Sequence, residues 1–140
     1  NHAFDLLEEG VLKQNYKKIV LGSLYDGIGF GNSSTTLGHA LSYVYSNEGV
    51  SHGHALAFTT TIAHKFNKSK FYERFLAIVK KLEFSEIYLK QDLYEASERI
   101  LTDRKHLDNN PGDITKNEII SLLKDINDKK VVWIKKFIKI

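Results

Sequence analysis

Three of the chain's six histidines lie within 16 residues of one another, and their side chains are well suited to binding a metal. His39, His52 and His54 have small neighbours, in the sequences GHA and SHGHA. Imidazole nitrogen is a common ligand of zinc and iron, and small neighbours let backbones come close to a buried ion. Because the chain contains no cysteine, a transition-metal site here must use nitrogen and oxygen ligands.

Spacing alone does not separate metal binding from an ordinary packing role. The helical pairs HxxxH and HExxH, which are strong indicators of a metal site, do not occur in the chain. His39 and His52 are 13 residues apart and are predicted on different helices, so they would meet only through the fold. Histidine also serves as an ordinary surface or core side chain. From the residues alone, both interpretations stay open.

The elements that position these histidines are predicted to be helices, because apolar residues recur there at helical spacing. One helix is predicted over residues 16–30 and the next over about 37–45. A third follows Ser51, which is a suitable N-cap, and it carries His52 in its first turn. The predicted apolar side of the helix over 16–30 is Ile19, Val20, Leu24 and Ile28.

Helical spacing continues along the rest of the chain, so we predict an all-α fold, a helical bundle forming one domain over residues 1–140. The apolar faces behind this prediction are Phe4, Leu7, Val11 and Leu12; Phe71, Phe75, Ile78, Val79 and Leu82; Ile87, Leu89, Leu93, Ala96, Ile100 and Leu101; and Ile119, Ile120, Leu123 and Ile126.

Local signals place several boundaries. Gly10 is predicted to break the first helix, and Ser85 is predicted to open another. Residues 109–112, Asn-Asn-Pro-Gly, must form a loop. Thr115 then caps the following helix, with Glu118 at the position of a capping box. The apolar and basic tail from residue 131 is predicted to be a short strand or a last helical turn.

Gly22, Gly27 and Gly29 lie inside the helix over 16–30, where each costs about 1 kcal/mol relative to alanine. A helix that tolerates this usually needs another backbone or a ligand to approach closely. The glycine-rich stretch 27–31 falls at a helix end and not after a strand. It is therefore not predicted to be a dinucleotide-binding fingerprint.

The composition narrows the class of protein. Apolar residues make up 42% of the chain and charged residues 26%, which is typical of a globular domain. The net charge of +3 is small and interspersed, so we predict no nucleic-acid partner. No apolar run approaches the roughly 20 residues of a membrane span, so no membrane partner is predicted. The lack of cysteine fits the cytoplasm. Because the chain starts at Asn1 and has no methionine, we expect a piece of a longer protein.

The segment GSLYDGIGFGNSSTTLGHALSYVYSNEGVSHGHALAF, residues 22–58, resembles the signature of the iron-containing alcohol dehydrogenases, a branch of the dehydroquinate synthase-like superfamily. The matching elements are Phe30, Asn32, His39-Ala40, His52-Gly53 and Ala55. Residues 109–115 resemble the loop before the last helix of that family. The resemblance implies that the chain is the family's C-terminal helical domain.

The same resemblance implies the chemistry. His39 and His52 would ligate Fe²⁺ or Zn²⁺, which would polarise the oxygen of a small alcohol or aldehyde substrate during hydride transfer with NAD or NADP. Phe30, Tyr43 and His106 would line the substrate pocket. Tyr43 stands where many members have a second histidine, one turn after the first ligand.

Family members take two further ligands, an aspartate and a histidine, from a helix upstream of this segment. We therefore expect those ligands and the N-terminal dinucleotide-binding domain to lie outside the chain, and the chain alone to be inactive. Its expected partners are that missing domain and, as a further option, another copy in a homo-oligomer. Two alternatives stay open: a non-catalytic helical interaction module, or a sister activity such as glycerol dehydrogenase or dehydroquinate synthase.

Overall fold

The computed structural model describes residues 2–31 and 35–132, except for the side chain of Phe30. Over these residues the chain forms eight helices and no strand, which confirms the predicted all-α class. None of these helices has the length and apolar character needed to cross a membrane. The predicted turn at Asn32 and most of the tail, residues 133–140, lie outside the described residues. The helices are α1 (His2–Leu12), α2 (Tyr16–Gly31), α3 (Leu37–Ser46), α4 (His52–Phe66), α5 (Tyr72–Leu82), α6 (Leu93–Leu101), α7 (Arg104–Leu107) and α8 (Lys116–Asn127).

The centre of the core is the pair formed by α3 and α4. Leu41 and Tyr45 of α3 are fully buried. The two helices approach most closely at Gly38, where a Cβ atom would lie 2.9 Å from Thr60 Oγ1 and 3.0 Å from Thr60 Cα. A larger residue would push the backbones apart, so this glycine is required by the close approach. The contact fixes the relative position of the two helices that carry His39 and His52.

An extended segment, residues 84–90, covers the core where the sequence predicts the start of a helix. The prediction that Ser85 opens a helix is wrong, because α6 begins well after it. Burial alternates along the segment, with Ile87 and Leu89 buried and Tyr88 between them exposed. The Asn127 side chain accepts from the Leu89 N–H at 2.8 Å and donates to the Leu89 carbonyl at 3.2 Å. A distant side chain thus satisfies backbone groups that a helix would have paired.

The hairpin of α1 and α2 depends on close glycine contacts. Gly10 does not break α1 as predicted, because it is buried where a Cβ atom would lie 2.7 Å from Ile19 Cγ1 of α2. Gly22 approaches α1 in the same manner, which confirms the expected close approach at this position. A Cβ atom added at Gly27 or Gly29 would meet no atom of the described residues within 4 Å, so an approaching backbone among these residues does not account for either glycine.

The predicted apolar side of α2 faces solvent instead of the core. Val20, Leu24 and Ile28, three of the four residues predicted on this side, are 57–69% exposed, so most of the side is not covered by the described residues. The reason is that α2 packs mainly on α1, and one narrow glycine-lined face is sufficient for that contact. The exposed apolar surface of α2 also includes Tyr16, Leu21 and Tyr25.

The cap predictions have mixed outcomes. Thr115 forms the predicted capping box, since its hydroxyl accepts from the Glu118 N–H at 3.3 Å while Glu118 accepts from the Thr115 N–H at 2.8 Å. Ser51 precedes α4 as predicted, although its side chain makes no capping hydrogen bond. The loop at residues 109–112 is present, but the short helix α7 before it was not predicted.

Candidate metal centre

Helix α3 presents His39 and Tyr43 one turn apart. Residues four apart lie on the same face of a helix, so both side chains leave the core together while Leu41 points into it. His39 is partly buried, and Tyr43 is 42% exposed. The core-facing side of α3 therefore anchors the helix, and the opposite side displays a histidine and a tyrosine.

His52 is the first residue of α4, and the fold brings it to the same place. Its ring centroid lies 5.4 Å from that of His39, with the rings tilted by 59°. It also stacks on Tyr43, at a centroid distance of 5.8 Å and an interplanar angle of 18°. Two histidines that are 13 residues apart in the sequence are thus neighbours in space.

His106 of α7 completes the group from the other side. Its ring lies 5.9 Å from that of His39, nearly parallel at 9°, and 5.5 Å from that of Tyr43. Each of these four side chains therefore contacts two others in a closed cycle. We call this group the four-ring cluster: His39, Tyr43, His52 and His106.

The His106 ring is held by a carboxylate. Asp103 is the N-cap residue of α7, and both of its carboxylate oxygens lie 2.7 Å from His106 Nδ1. His106 itself is 6% exposed, the most buried member of the four-ring cluster. A buried histidine with a fixed partner has a defined ring orientation, unlike the exposed His52.

The electrostatic setting favours the neutral form of His39. Burial lowers the pKa of His39 below its usual value of 6.5, because water no longer stabilises the imidazolium ion. The neighbouring His52 and His106 lower this pKa further, since a positive charge on either would repel one on His39. Neutral imidazole is the form that binds metal ions.

His54, the third histidine of the sequence cluster, takes no part in the four-ring cluster. Its Nε2 lies 2.5 Å from the Ser85 carbonyl oxygen, and its ring stacks on Phe84 at a centroid distance of 5.3 Å. The ring of Phe58, in the same helix, lies 5.9 Å from the His54 ring. His54 therefore fastens the extended segment to α4, which is a packing role.

A cavity of about 480 Å³ lies beside the cluster, between α2, α3 and α4. His39 is the cluster member that lines it, together with Asp26 and His64. Asp26 and His64 also line a neighbouring cavity of about 290 Å³, whose other walls are aromatic and aliphatic. His39 thus belongs both to the four-ring cluster and to the wall of the larger cavity. The side chain of Phe30 lies outside the described residues.

A model of the Fe-containing alcohol dehydrogenase family, C-terminal, matches residues 5–102, more than two-thirds of the chain. The chain belongs to this family. The match covers α1 to α6, including His39, Tyr43 and His52, and ends just before α7. No curated protein and no solved structure gave a significant match.

Membership of an iron-containing family raises the question of whether these residues fit a metal ion. Two imidazoles bound to one metal through nitrogens about 2.0–2.1 Å from it have ring centroids roughly 5 Å apart. The 5.4 Å between His39 and His52 agrees with two adjacent positions in one coordination sphere. Metal sites generally have at least three protein ligands. Among the described residues, no group of three or more histidine, cysteine, aspartate or glutamate side chains is arranged to hold a metal.

Two parts of this site were not predicted from the sequence. Asp103 carries a local signal, the spacing Asp-x-x-His at a helix start, which places a capping carboxylate next to the histidine three residues later. Asp26 and His64 carry no such signal, because they are distant in sequence and meet only at the cavity walls.

Proposed function

We propose that the chain is the metal-binding helical domain of an NAD- or NADP-dependent alcohol dehydrogenase or aldehyde reductase, with His39 and His52 as two of the metal ligands. The observation that carries this proposal is the convergence of these two rings, 5.4 Å apart, within the stretch that matches the family. The metal would be Fe²⁺ or Zn²⁺, and when bound it would polarise the substrate oxygen as a Lewis acid.

The other cluster members would bind the substrate. Tyr43 contacts both His52 and His106 while 42% of its surface stays exposed, and we assign its hydroxyl to a hydrogen bond with an alcohol or aldehyde oxygen. His106 of α7 contacts both Tyr43 and His39. Phe30, predicted from the resemblance, would supply an apolar wall. The substrate class is a small alcohol or aldehyde, since the cluster offers hydrogen-bonding groups but no concentrated charge.

The nicotinamide cofactor would be bound by an N-terminal domain, which we propose as the natural partner of this chain in the cytoplasm. The glycine-rich stretch 27–31 begins inside α2 and does not follow a strand, so it lacks the geometry of a dinucleotide-binding turn. The isolated chain should therefore show no alcohol-dependent reduction of NAD or NADP, and measurable turnover by it would contradict this part of the proposal.

The metal site can be tested by titrating Zn²⁺ into the chain and measuring binding by calorimetry. The double variant His39→Ala, His52→Ala should bind at least tenfold more weakly than wild type, because it loses both ligands. His54→Ala is the matched control, since this histidine lies in the same helix as His52 but bonds the Ser85 carbonyl. It should bind as wild type does. Equal affinity in all three proteins would overturn the assignment.

One observation favours a second candidate, a non-catalytic helical interaction module. Helix α2 exposes a row of large apolar side chains that includes Val20, Leu24 and Ile28. Such contiguous exposed apolar surface is typical of interaction sites. On this hypothesis His39 and His52 are packing groups. The zinc titration discriminates between the two candidates, because the module predicts the same weak binding with and without the two histidines.

A further inference from the structure

Asp103 makes a contact that a helix cap alone does not require. Its carboxylate accepts from the His106 N–H at 3.4 Å, a long capping bond, whereas the His106 ring nitrogen Nδ1 lies at only 2.7 Å. Asp92, the N-cap of α6, offers a comparison within the same chain. Among the described residues, its hydrogen bonds are to two backbone N–H groups, at 2.9 Å and 3.1 Å. The shorter bond of Asp103 is therefore to the ring.

This contact determines which ring nitrogen carries the proton. A carboxylate only accepts hydrogen bonds, so Nδ1 of His106 must be the donor and Nε2 of the neutral ring has a lone pair. Within the described residues Nε2 makes no hydrogen bond, and it is not one of the fully buried polar atoms that lack a partner. This atom is thus the part of a buried side chain that reaches solvent, next to the rings of His39 and Tyr43.

We propose that Asp103 is a positioning residue that fixes His106 as the Nδ1–H tautomer, so that Nε2 accepts a hydrogen bond from the hydroxyl group of a ligand bound at the four-ring cluster. The proposal rests on the proposed function for the identity of the ligand, an alcohol, but not for the tautomer. Both residues lie beyond the stretch that matches the family, so the family match does not assign them a role.

The geometry also explains why an aspartate serves here. Serine, threonine and asparagine cap helices as well as aspartate does. Only the carboxylate offers two acceptor oxygens and no donor, so it cannot stabilise the opposite tautomer by donating to Nδ1. At metal sites, a carboxylate that accepts from the free ring N–H of a histidine fixes the tautomer and orientation of the ring in the same manner.

The tautomer can be read directly by long-range ¹H–¹⁵N NMR of the full chain without metal at pH 7.5. In wild type we expect His106 to be entirely protonated at Nδ1. Asp103→Asn should give a mixture of tautomers, because an amide can donate as well as accept. Asp92→Asn, the matched control at the other capping aspartate, should leave the His106 signals unchanged. An Nε2–H tautomer in wild type, or an unchanged spectrum in Asp103→Asn, would overturn the proposal.

If the Asp103→Asn variant does not fold, a second variant can separate the two roles of Asp103, capping α7 and positioning the His106 ring. Asp103→Ser keeps a capping oxygen, and a folded Asp103→Ser protein with altered His106 tautomer would support positioning. A folded protein with the wild-type tautomer would contradict it.

The acceptor role has its own readout. Adding ethanol to the wild-type chain should shift the His106 Nε2 signal, and the shift should be at least threefold smaller in Asp103→Asn. No shift in wild type would overturn the acceptor role.

The zinc affinity of the His106→Gln variant should stay within twofold of the wild-type affinity. A loss of zinc affinity as large as that of the His39→Ala, His52→Ala variant would identify His106 as a metal ligand, and it would also overturn the acceptor role of Nε2. Failure of wild type to bind zinc would instead refute the proposed function and leave the tautomer result standing.

Discussion

The α3–α4 pair and the α1–α2 hairpin are both joined at glycines, yet they differ in what surrounds them. Leu41 of α3 has no exposed surface, whereas Leu24 of α2 is 57% exposed. Both leucines lie in helices that the sequence predicts, Leu24 in the one over 16–30 and Leu41 in the one over about 37–45. The difference teaches that helical periodicity shows which face of a helix is apolar but not whether another element covers it. The free energy of unfolding that a substitution removes should therefore depend on whether the side chain is buried, and not on whether it belongs to an apolar helical pattern.

The largest expected contrast is between Leu41→Ala and Leu24→Ala. Removing the fully buried Leu41 side chain leaves a cavity beside the α3–α4 contact and should lower the free energy of unfolding by about 2–5 kcal/mol. The matched change at Leu24 should cost less than about 1 kcal/mol, because most of that side chain is already in water. Urea denaturation followed by circular dichroism measures both. Equal losses would show that α2 is covered in solution.

Glycine substitutions should sharpen the contrast, because they are expected to have opposite signs. Gly38→Ala places a Cβ atom 3.0 Å from Thr60 Cα, so the helices must separate, at a cost of about 1–3 kcal/mol. Gly27→Ala meets no described atom within 4 Å and should stabilise α2 by about 0.5–1 kcal/mol through its better helix propensity. Thermal melts of the two variants and of wild type measure the sign of each change in stability. A destabilised Gly27→Ala protein would mean that another surface approaches α2.

The sequence predicted the fold class well because helix formation depends on local spacing. The helix boundaries around α3 and α4 and the capping box at Thr115 follow from residues close together in the chain. The start at Ser85 failed for a physical reason. The extended segment is stabilised by Asn127 and by Glu48, which accepts from the Lys90 and Gln91 N–H groups. These partners are tens of residues away, so no local pattern could indicate them.

The candidate site shows the same limit. His39, Tyr43 and His52 were found through motif resemblance, and the structure places them together. Asp103 was missed because α7, the short helix that it caps, was not predicted. Whether these residues bind metal is a question of coordination, which helix periodicity does not address.

The attachment of the hairpin to the rest of the chain provides a smaller test. Arg74 of α5 donates to Asp5 at 2.7 Å and to Glu8 at 2.5 Å, and its guanidinium lies 4.6 Å from the centroid of the Phe4 ring. Arg74→Ala should raise amide hydrogen exchange in α1 and α2 several-fold, while α3 and α4 stay protected. Arg74→Lys keeps the positive charge, so its exchange rates in α1 and α2 should lie between those of wild type and Arg74→Ala. A uniform increase across the chain would show that the hairpin unfolds together with the core.

The smallest expected effect is a pH dependence at His64, on the cavity side of α4. Burial lowers the pKa of His64 below its usual value of 6.5. The unfolded chain therefore takes up a proton near pH 6.5 that the folded chain takes up only at lower pH. This contribution to stability is complete above pH 6.5, declines as the pH falls through 6.5, and levels off below the folded-state pKa. His64→Gln should reduce the loss of melting temperature between pH 7.5 and 5.5, while His39, whose pKa is also lowered, contributes equally to both proteins. Parallel profiles for the two proteins would show that His64 is hydrated in solution and that the cavity is open to water.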